Sequence, residues 1–255
     1  MSGVLLAGVA VFAAVAVAVA LCSMRPRWRS RTVVVAPLVL AAACAVASVA
    51  LLLRPRPAAT GSAAAQEGWS AAWGGVAGLG WAAPALVATA ALAVLAFRAE
   101  GALVGYVARR PARRIPAGAL PPELMAADLP TRAETMDDVA ETARSAPRYW
   151  TLSVVTVLAE EAFFRVAAPV ALLTAGEPLA VALLLPAALY ALNHIGFGMA
   201  SVLGKLLLGI VLGAGAWAAG ALLVSVPVHL MYQAMVRRQF VPARPRRSPL
   251  AVPRP

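Results

Sequence analysis

Seven apolar runs, most of them long enough to form a transmembrane helix, dominate this sequence. They lie at about 4–23, 33–53, 81–97, 150–173, 179–197, 203–219 and 221–236. A hydrocarbon layer of about 30 Å needs roughly 20 apolar residues in one helix. Hydrophobic residues make up 62% of the chain, which is more than a soluble domain of this length can hide in its core. The sequence predicts an all-α, multi-pass transmembrane helical bundle of about seven spans.

Arginine is concentrated after the first, third and seventh runs. These segments contain Arg25, Arg27, Arg29 and Arg31; Arg98, Arg109, Arg110, Arg113 and Arg114; and Arg237, Arg238, Arg244, Arg246, Arg247 and Arg254. Cytoplasmic loops carry an excess of basic residues, so all three segments face the cytoplasm if the N-terminus is outside. Only Arg54 and Arg56 fall on the other side in this topology. Because membrane topology accounts for the net charge of +11, we expect membrane lipids as partners and no nucleic acid.

The runs and the segments between them divide the chain into four regions. Residues 1–108 form the N-terminal spans, with an external loop at 54–80, and we expect the first run to be retained as a span because no basic residue precedes it. Residues 109–148 form a cytoplasmic loop that ends in a surface helix from Thr131 to Ser145, opened by a capping box of Thr131 and Glu134. Residues 149–236 form the core, in the last four spans, and 237–255 form a basic, disordered tail drawn to anionic headgroups.

Ionisable residues interrupt the apolar runs at a few positions. Glu160, Glu161 and Arg165 lie in the fourth run, and the only two histidines, His194 and His229, lie in the fifth and seventh. A charged residue at the bilayer centre costs roughly 2.5 to 3.5 kcal/mol or more. Such residues are kept for a function, so we take these five as the candidate site.

Helical spacing groups these residues with further polar neighbours. Glu161 and Arg165 are four residues apart, with the acid first, which favours an ion pair within the helix. Glu160 is then left without a partner in this helix. Tyr190 and His194 have the same spacing, and so do His229 and Gln233. Lipid penalises three polar stripes of this kind. We expect them to face one water-filled pocket that opens toward the cytoplasm.

A glutamate in such a pocket can take a proton from water and return it to a leaving amine. Amide hydrolysis also needs donors at the developing oxyanion, which His229 and Gln233 can supply. No serine-histidine-acid spacing stands out, and Cys22 and Cys44 lie away from the polar runs, so they are expected to serve packing alone. Lys205, the only lysine, is assigned no function.

Zinc is the alternative within the hydrolase hypothesis. One glutamate and two histidines form a known zinc ligand set with a fourth position for water. Glu160, His194 and His229 would be those ligands. They come from three separate runs, which neither supports nor excludes the metal, and we favour water activation with no cofactor.

Three motifs together resemble the signature of a known family. They are Glu160-Glu161-x-x-x-Arg165, Tyr190-x-x-x-His194 and His229-x-x-x-Gln233. This pattern resembles the CPBP family of intramembrane proteases, which includes type II CAAX prenyl endopeptidases and the Abi-like, bacteriocin-processing proteins. The resemblance covers about 150–236. The family usually has phenylalanine at the position of Tyr190 and asparagine at that of Gln233, so this chain departs from the pattern twice.

The resemblance implies a role for each matched residue. Glu160 would activate the hydrolytic water with the help of His194, and His229 with Gln233 would stabilise the oxyanion. Glu161, Arg165 and Tyr190 would support these groups. The function that follows is an intramembrane endopeptidase of the cell membrane, acting on a membrane-associated peptide or protein. The alternative is a membrane scaffold or immunity factor that keeps the pocket without hydrolysis.

Gly209 and Gly213 form a Gly-x-x-x-Gly pair in the sixth run. Small residues at this spacing let transmembrane helices approach closely. We predict close helix packing at these two positions rather than a ligand contact.

Overall fold

The computed structural model describes residues 2–23, 26–53, 79–109, 139–219 and 222–241. Nearly all of these residues are helical, and none of them forms a strand. The main helices are α1 (Ser2–Ser23), α2 (Pro26–Leu52), α3 (Leu79–Arg109), α4 (Ala146–Glu161), α5 (Ala168–Thr174), α6 (Leu179–Leu192), α7 (Met199–Ala219) and α8 (Leu222–Phe240). A π-helical segment, Ala162–Ala167, joins α4 to α5. The predicted all-α bundle is confirmed.

Each predicted apolar run coincides with a helix in the same order, and the fourth run corresponds to α4, the π-helical segment and α5 together. Residues 139–144 are helical, in the second half of the predicted surface helix. Several predictions lie outside the described residues. These are the loop at 54–78, the capping box of Thr131 and Glu134, the tail from 242, and the side chains of Cys22 and of the arginines at 25–31.

Three segments among the described residues are long and apolar enough to cross a membrane: Val34–Leu52, Ala82–Tyr106 and Met199–Ala219. Large apolar side chains on these and other helices are exposed, as with Val46 at 70% and Val87 at 68%. Lipid is the environment that accommodates such a surface. The apolar helices are those of a membrane protein, while the seven crossings and their orientation stay predictions.

Two apolar cores hold the helices together. The first core joins α1, α2, α6 and the α4–α5 region, and contains Val4, Val11, Leu40, Cys44, Phe163, Phe164, Ala168, Leu172, Ala182 and Tyr190. The second core joins α3, α7 and α8, and contains Ala93, Leu208, Leu212, Ala219, Val224, Val228 and Tyr232. Cys44 is fully buried in the first core, in agreement with its predicted packing role. The candidate site brings together groups from both sets of helices.

The π-helical segment follows directly after Glu160 and Glu161. Pro169 has no N–H group, so it cannot donate the regular hydrogen bond to the carbonyl of Arg165. The backbone N–H of Ala168 donates instead to the carbonyl of Phe163, five residues earlier. π-helical turns of this kind occur often at functional sites. Arg165 lies within this turn, four residues after Glu161, the last residue of α4.

Glycines on α7 allow two neighbouring helices to approach closely. A Cβ at Gly209 would lie 3.1 Å from the Cβ of Ala187 on α6, so the close packing predicted there is confirmed. A Cβ at Gly213 would make only an ordinary contact, 3.8 Å from Leu183. On another face of α7, a Cβ at Gly215 would overlap Thr89 of α3, and one at Gly204 would overlap Glu100 of α3. These positions fix α3 tightly against α7.

Candidate active site at the junction of the two cores

Glu160 and His229 lie close together inside the bundle. Glu160 is the penultimate residue of α4 and is 4% exposed, while His229 on α8 is fully buried. The Oε2 atom of Glu160 lies 3.8 Å from the Nε2 atom of His229. The spacing of four residues pairs Glu161 with Arg165 and leaves Glu160 without an ion-pair partner in its own helix. The carboxylate of Glu160 therefore lies inside the protein, beside His229.

Glu161 connects three helical segments. Its Oε1 atom lies 2.8 Å from Nδ1 of His229, and its Oε2 atom lies 3.5 Å from Nε of Arg165. The contact with Arg165 is the one that the spacing of four residues predicts. The contact with His229 has no signal in the sequence, because the two residues are 68 positions apart. A carboxylate only accepts, so Nδ1 of His229 donates and the imidazole is held in one orientation.

Arg165 is a buried cation with spare donors. Its guanidinium carbon lies 4.9 Å from the centroid of the Tyr190 ring, within the range of a cation–π contact. None of its nitrogens makes a hydrogen bond among the described residues.

The side chain of Arg165 also lines a crevice between α5, α6 and α7, together with Phe164, Leu183, Gly213 and Trp217. Neither Glu160 nor the histidines line this crevice, so it is distinct from the predicted pocket.

Tyr190 contacts His229 at Nε2, the ring nitrogen that does not bond to Glu161. The hydroxyl of Tyr190 lies 3.3 Å from Nε2 of His229, and the two rings meet edge to face with centroids 5.8 Å apart. Because Nδ1 carries a proton, Nε2 of a neutral His229 can accept from the hydroxyl. A phenylalanine would keep the ring contacts and lose this hydrogen bond. The departure from the family pattern at Tyr190 thus adds one polar contact to the cluster.

His194 lies outside the helix that the sequence predicts for it. The fifth run was expected to be helical to 197, but α6 ends at Leu192 and His194 occupies the following turn. This turn leads into Gly198, whose φ of +88° favours glycine and breaks the helical path. Nδ1 of His194 donates to the carbonyl of Tyr190 at 3.0 Å, and the two rings lie 5.0 Å apart. Nε2 remains as the basic nitrogen, and no contact within 4.0 Å joins it to Glu160 in the described structure.

Gln233 is held by a residue that the motifs do not include. The hydroxyl of Tyr149 donates to Oε1 of Gln233 at 3.1 Å and to its backbone carbonyl at 2.8 Å. One turn further along α8, Nε of Arg237 donates to the carbonyl of Ala143 at 3.1 Å. These contacts join the end of α8 to the beginning of α4 and to the helical residues 139–144 that precede it. They place the carbonyl end of the Gln233 side chain against Tyr149.

A second buried polar cluster, which the sequence reading missed, lies between α3, α7 and α8. Ser201 donates to Oε1 of Glu100 at 2.5 Å, and the hydroxyl of Tyr232 donates to Oε2. Nζ of Lys205 donates to the hydroxyl of Tyr232 at 2.6 Å and lies 3.7 Å from Oε2 of Glu100. A lysine in an apolar helix is itself a signal of function. That signal was available in the sequence at Lys205.

The zinc alternative needs three donors around one point. Glu160 and His229 are close enough to share a metal, since two ligands at about 2.0 to 2.2 Å from zinc can lie this far apart. Because Nδ1 of His194 donates to the carbonyl of Tyr190, its Nε2 atom is the nitrogen left for a metal, but no contact within 4.0 Å joins Nε2 to Glu160 in the described structure. Within the described ranges, no group of three His, Cys, Asp or Glu side chains is arranged to hold a metal ion. The residues as placed do not fit a zinc site.

Comparison with protein families agrees with the motifs. Residues 142–235 match the family model described as type II CAAX prenyl endopeptidase Rce1-like. The matched segment includes all three motifs and Lys205, and it excludes Glu100. No curated protein and no solved structure matches the chain significantly. The match covers less than half of the chain, and it supports the resemblance to the CPBP family that the three motifs carry.

Proposed function

We propose that this protein is an intramembrane endopeptidase that hydrolyses a peptide bond in a membrane-associated peptide or protein. One observation carries the proposal: the buried Glu160 carboxylate lies 3.8 Å from His229, whose other nitrogen Glu161 holds at 2.8 Å. A buried carboxylate of this kind is expensive unless it has a function. The family match over the same residues supports the same reaction class.

Glu160 is the proposed general base. Its carboxylate removes a proton from a water molecule, and the water oxygen attacks the carbonyl carbon of the scissile bond. The carbon–nitrogen bond then breaks, and Glu160 returns the proton to the leaving amine. The reaction consumes one water molecule and needs no covalent intermediate with the protein.

His229 is the proposed donor to the oxyanion. When both ring nitrogens carry protons, Glu161 accepts from Nδ1 and the Nε2 proton is directed to the space beside Glu160 and Tyr190. Negative charge develops there as water attacks the carbonyl. A donor fixed before the reaction stabilises that charge without having to reorganise. Arg165 keeps the charge of Glu161 compensated throughout.

His194 and Gln233 complete the proposed site from its edges. The basic Nε2 atom of His194 is suited to accept a hydrogen bond from the attacking water. The NH₂ group of Gln233 is suited to donate a second hydrogen bond to the oxyanion. We propose that both groups close on Glu160 and His229 when substrate binds, because hydrogen bonds of a catalytic site often tighten only in the bound complex.

The proposed site opens toward the cytoplasmic side of the cell membrane. The arginine-rich segments at 25–31, 98–114 and 237–254 support this orientation. In that orientation, His194, Lys205 and Gln233 lie on the cytoplasmic side of Glu160. A substrate would therefore approach the carboxylate past these three side chains.

The test compares cells that produce the wild-type protein with cells that produce Glu160→Ala. New N-termini and C-termini of membrane proteins are mapped by mass spectrometry in both. We expect at least one cleavage that occurs with the wild type and disappears with Glu160→Ala, at equal protein levels in the membrane. Glu141→Gln, at an exposed glutamate outside the site, is the matched control and should retain the cleavage.

Two results would contradict the proposal. One is an identical set of termini in wild-type and Glu160→Ala cells. The other is an unchanged biological effect of the gene when Glu160 is replaced, which would favour the scaffold or immunity factor instead.

A further inference from the structure

Arg165 is a buried cation whose donors are unused. Its side chain is 1% exposed, and Nε, Nη1 and Nη2 make no hydrogen bond in the part of the chain that the structure describes. A guanidinium group carries five N–H donors. A buried donor without a partner loses its hydrogen bonds to water and gains nothing in return. Such a group in a folded protein calls for an acceptor that binds beside it.

Glu161 presents an unused acceptor next to these donors. Its Oε2 atom lies 3.5 Å from Nε of Arg165, and among the described residues this oxygen accepts no hydrogen bond. Its Oε1 atom is already bonded to Nδ1 of His229. The ion pair compensates the charge of the guanidinium, but it leaves hydrogen-bonding groups open on both side chains. A ligand at this point therefore needs both an acceptor and a donor, and it needs no charge.

The crevice between α5, α6 and α7 leads from the surface of the bundle to Arg165. Its floor is buried at Gly209 and Gly213. Its rim is half-buried and includes Val170, Leu173, Leu183 and Trp217. Of the described residues that line the crevice, Arg165 alone is charged. The cavity volume of about 20 Å³ has room for a group of the size of a water molecule.

The polar groups at the floor and the apolar rim select the chemistry of the ligand. An anionic ligand is unsuitable, because it would place a further negative charge beside Glu161 in a medium of low dielectric. A hydroxyl group suits both partners, since its oxygen accepts from the guanidinium and its hydrogen is donated to Oε2. The apolar rim adds room for a hydrocarbon chain, which lipid supplies at the surface of a membrane protein.

We propose that this crevice binds a neutral hydroxyl group, which accepts a hydrogen bond from Arg165 and donates one to Glu161. The hydroxyl belongs to a lipid whose chain lies along the rim, or to a water molecule at the same place. Binding there adds hydrogen bonds to the pair that holds His229, whose Nδ1 atom lies 2.8 Å from Glu161. The site is separate from Glu160, and its occupation does not depend on hydrolysis.

The first experiment tests a lipid as the source of the hydroxyl. Full-length wild-type protein in phosphatidylcholine liposomes is irradiated with a photoreactive analogue of hexadecanol, and the labelled residues are mapped by mass spectrometry. We expect labels on the rim, at Leu173, Leu183 or Trp217. Unlabelled hexadecanol should compete with the probe. Hexadecane lacks the hydroxyl and should compete at least about 100-fold less well, because a site built for a hydroxyl rejects the analogue without it.

Gly213→Val fills the crevice and leaves both charges in place. A Cβ at Gly213 meets only Leu183, at 3.8 Å, so the first added carbon fits and the further methyl groups enter the crevice. The labels on the rim should disappear in this variant. Ala214→Val adds apolar volume at the neighbouring, exposed position of α7 and is the matched control, which should keep the labels.

The second experiment is a crystal structure of the wild-type protein in lipid, at a resolution that shows ordered water. Density for an oxygen atom within hydrogen-bonding distance of both the guanidinium and Oε2 of Glu161 would support the proposal. Labels that hexadecanol displaces selectively then identify a lipid as the source, and their absence identifies water. A guanidinium that instead bonds directly to Glu161 through two N–H groups, with no density beside it, would overturn the proposal. Both wild-type experiments carry the test even if Gly213→Val does not fold.

Discussion

Nδ1 of His229 lies 2.8 Å from Oε1 of Glu161, and this contact joins α8 to the end of α4 deep inside the bundle. It fixes which imidazole nitrogen faces Glu160. Carboxylate–histidine contacts of this kind orient the imidazole in many hydrolytic sites. The negative charge of Glu161 also compensates the positive charge of Arg165. One carboxylate thus serves both as the support of His229 and as the counter-ion of a buried guanidinium.

Removing either member of the Glu161–Arg165 pair should strongly destabilise the fold. We expect Glu161→Gln and Arg165→Met each to lower the free energy of unfolding by roughly 3 to 5 kcal/mol, because each leaves one buried charge without its partner. The double variant should lose less than the sum of the two by at least about 1 kcal/mol. Denaturant unfolding in detergent micelles measures all three values. Strictly additive losses would mean that the two side chains do not interact.

Tyr190→Phe should be tolerated, whereas Tyr190→Leu should not. Phenylalanine loses only the hydrogen bond to His229, worth about 0.5 to 1.5 kcal/mol, and keeps the ring beside Arg165. Leucine also loses the cation–π contact, worth roughly a further 0.5 to 2 kcal/mol. Thermal unfolding and cleavage rate should both rank wild type, Phe and Leu in this order. Equal losses for the two variants would show that the hydroxyl, not the ring, is what matters.

Two glycine substitutions should have opposite effects on stability. A Cβ at Gly215 would collide with the hydroxyl and methyl of Thr89, so Gly215→Ala should destabilise by about 1 to 3 kcal/mol. A Cβ at Gly101 meets nothing within 4 Å, so Gly101→Ala should stabilise by about 0.4 to 1 kcal/mol. Melting temperatures of the two purified variants check this. If Gly215→Ala melts at or above the wild-type temperature, α3 and α7 do not pack as described.

Chelation should leave the cleavage activity unchanged. Because no three His, Cys, Asp or Glu side chains among the described residues are arranged to hold a metal ion, we expect purified protein to hold no stoichiometric zinc and to retain its rate in the presence of a strong chelator. Elemental analysis and cleavage assays before and after chelation give the answer. Loss of activity that zinc restores would establish the metal alternative with Glu160, His194 and His229 as ligands.

Much of the fold could be predicted because its signals are local. The apolar runs have the length that a hydrocarbon layer requires, so the helices and their order follow from the sequence. The Glu161–Arg165 contact follows from the spacing of four residues in a helix. The end of α6 could not be placed in this way, since the apolar run continues past Leu192 while the α-helix ends there and the chain turns at Asn193 and His194.

The contacts that build the site depend on packing between distant segments. Glu100 and Ser201 are 101 positions apart, and Tyr149 and Gln233 are 84 positions apart, so periodicity carries no information about them. The motif pattern brought Glu160 and His229 into one site because both interrupt apolar runs. Lys205 also interrupts an apolar run, so a buried polar contact such as the one it makes with Tyr232 could have been predicted for it.

The central claim is that Glu160 activates the hydrolytic water. Its most direct test is the rate at which Glu160→Gln cleaves the mapped peptide in liposomes, compared with the wild type and with Glu141→Gln. We predict a loss of at least about 10²-fold for Glu160→Gln, with unchanged thermal stability within a few degrees, and no loss for Glu141→Gln. A folded Glu160→Gln protein that cleaves at the wild-type rate would contradict the account.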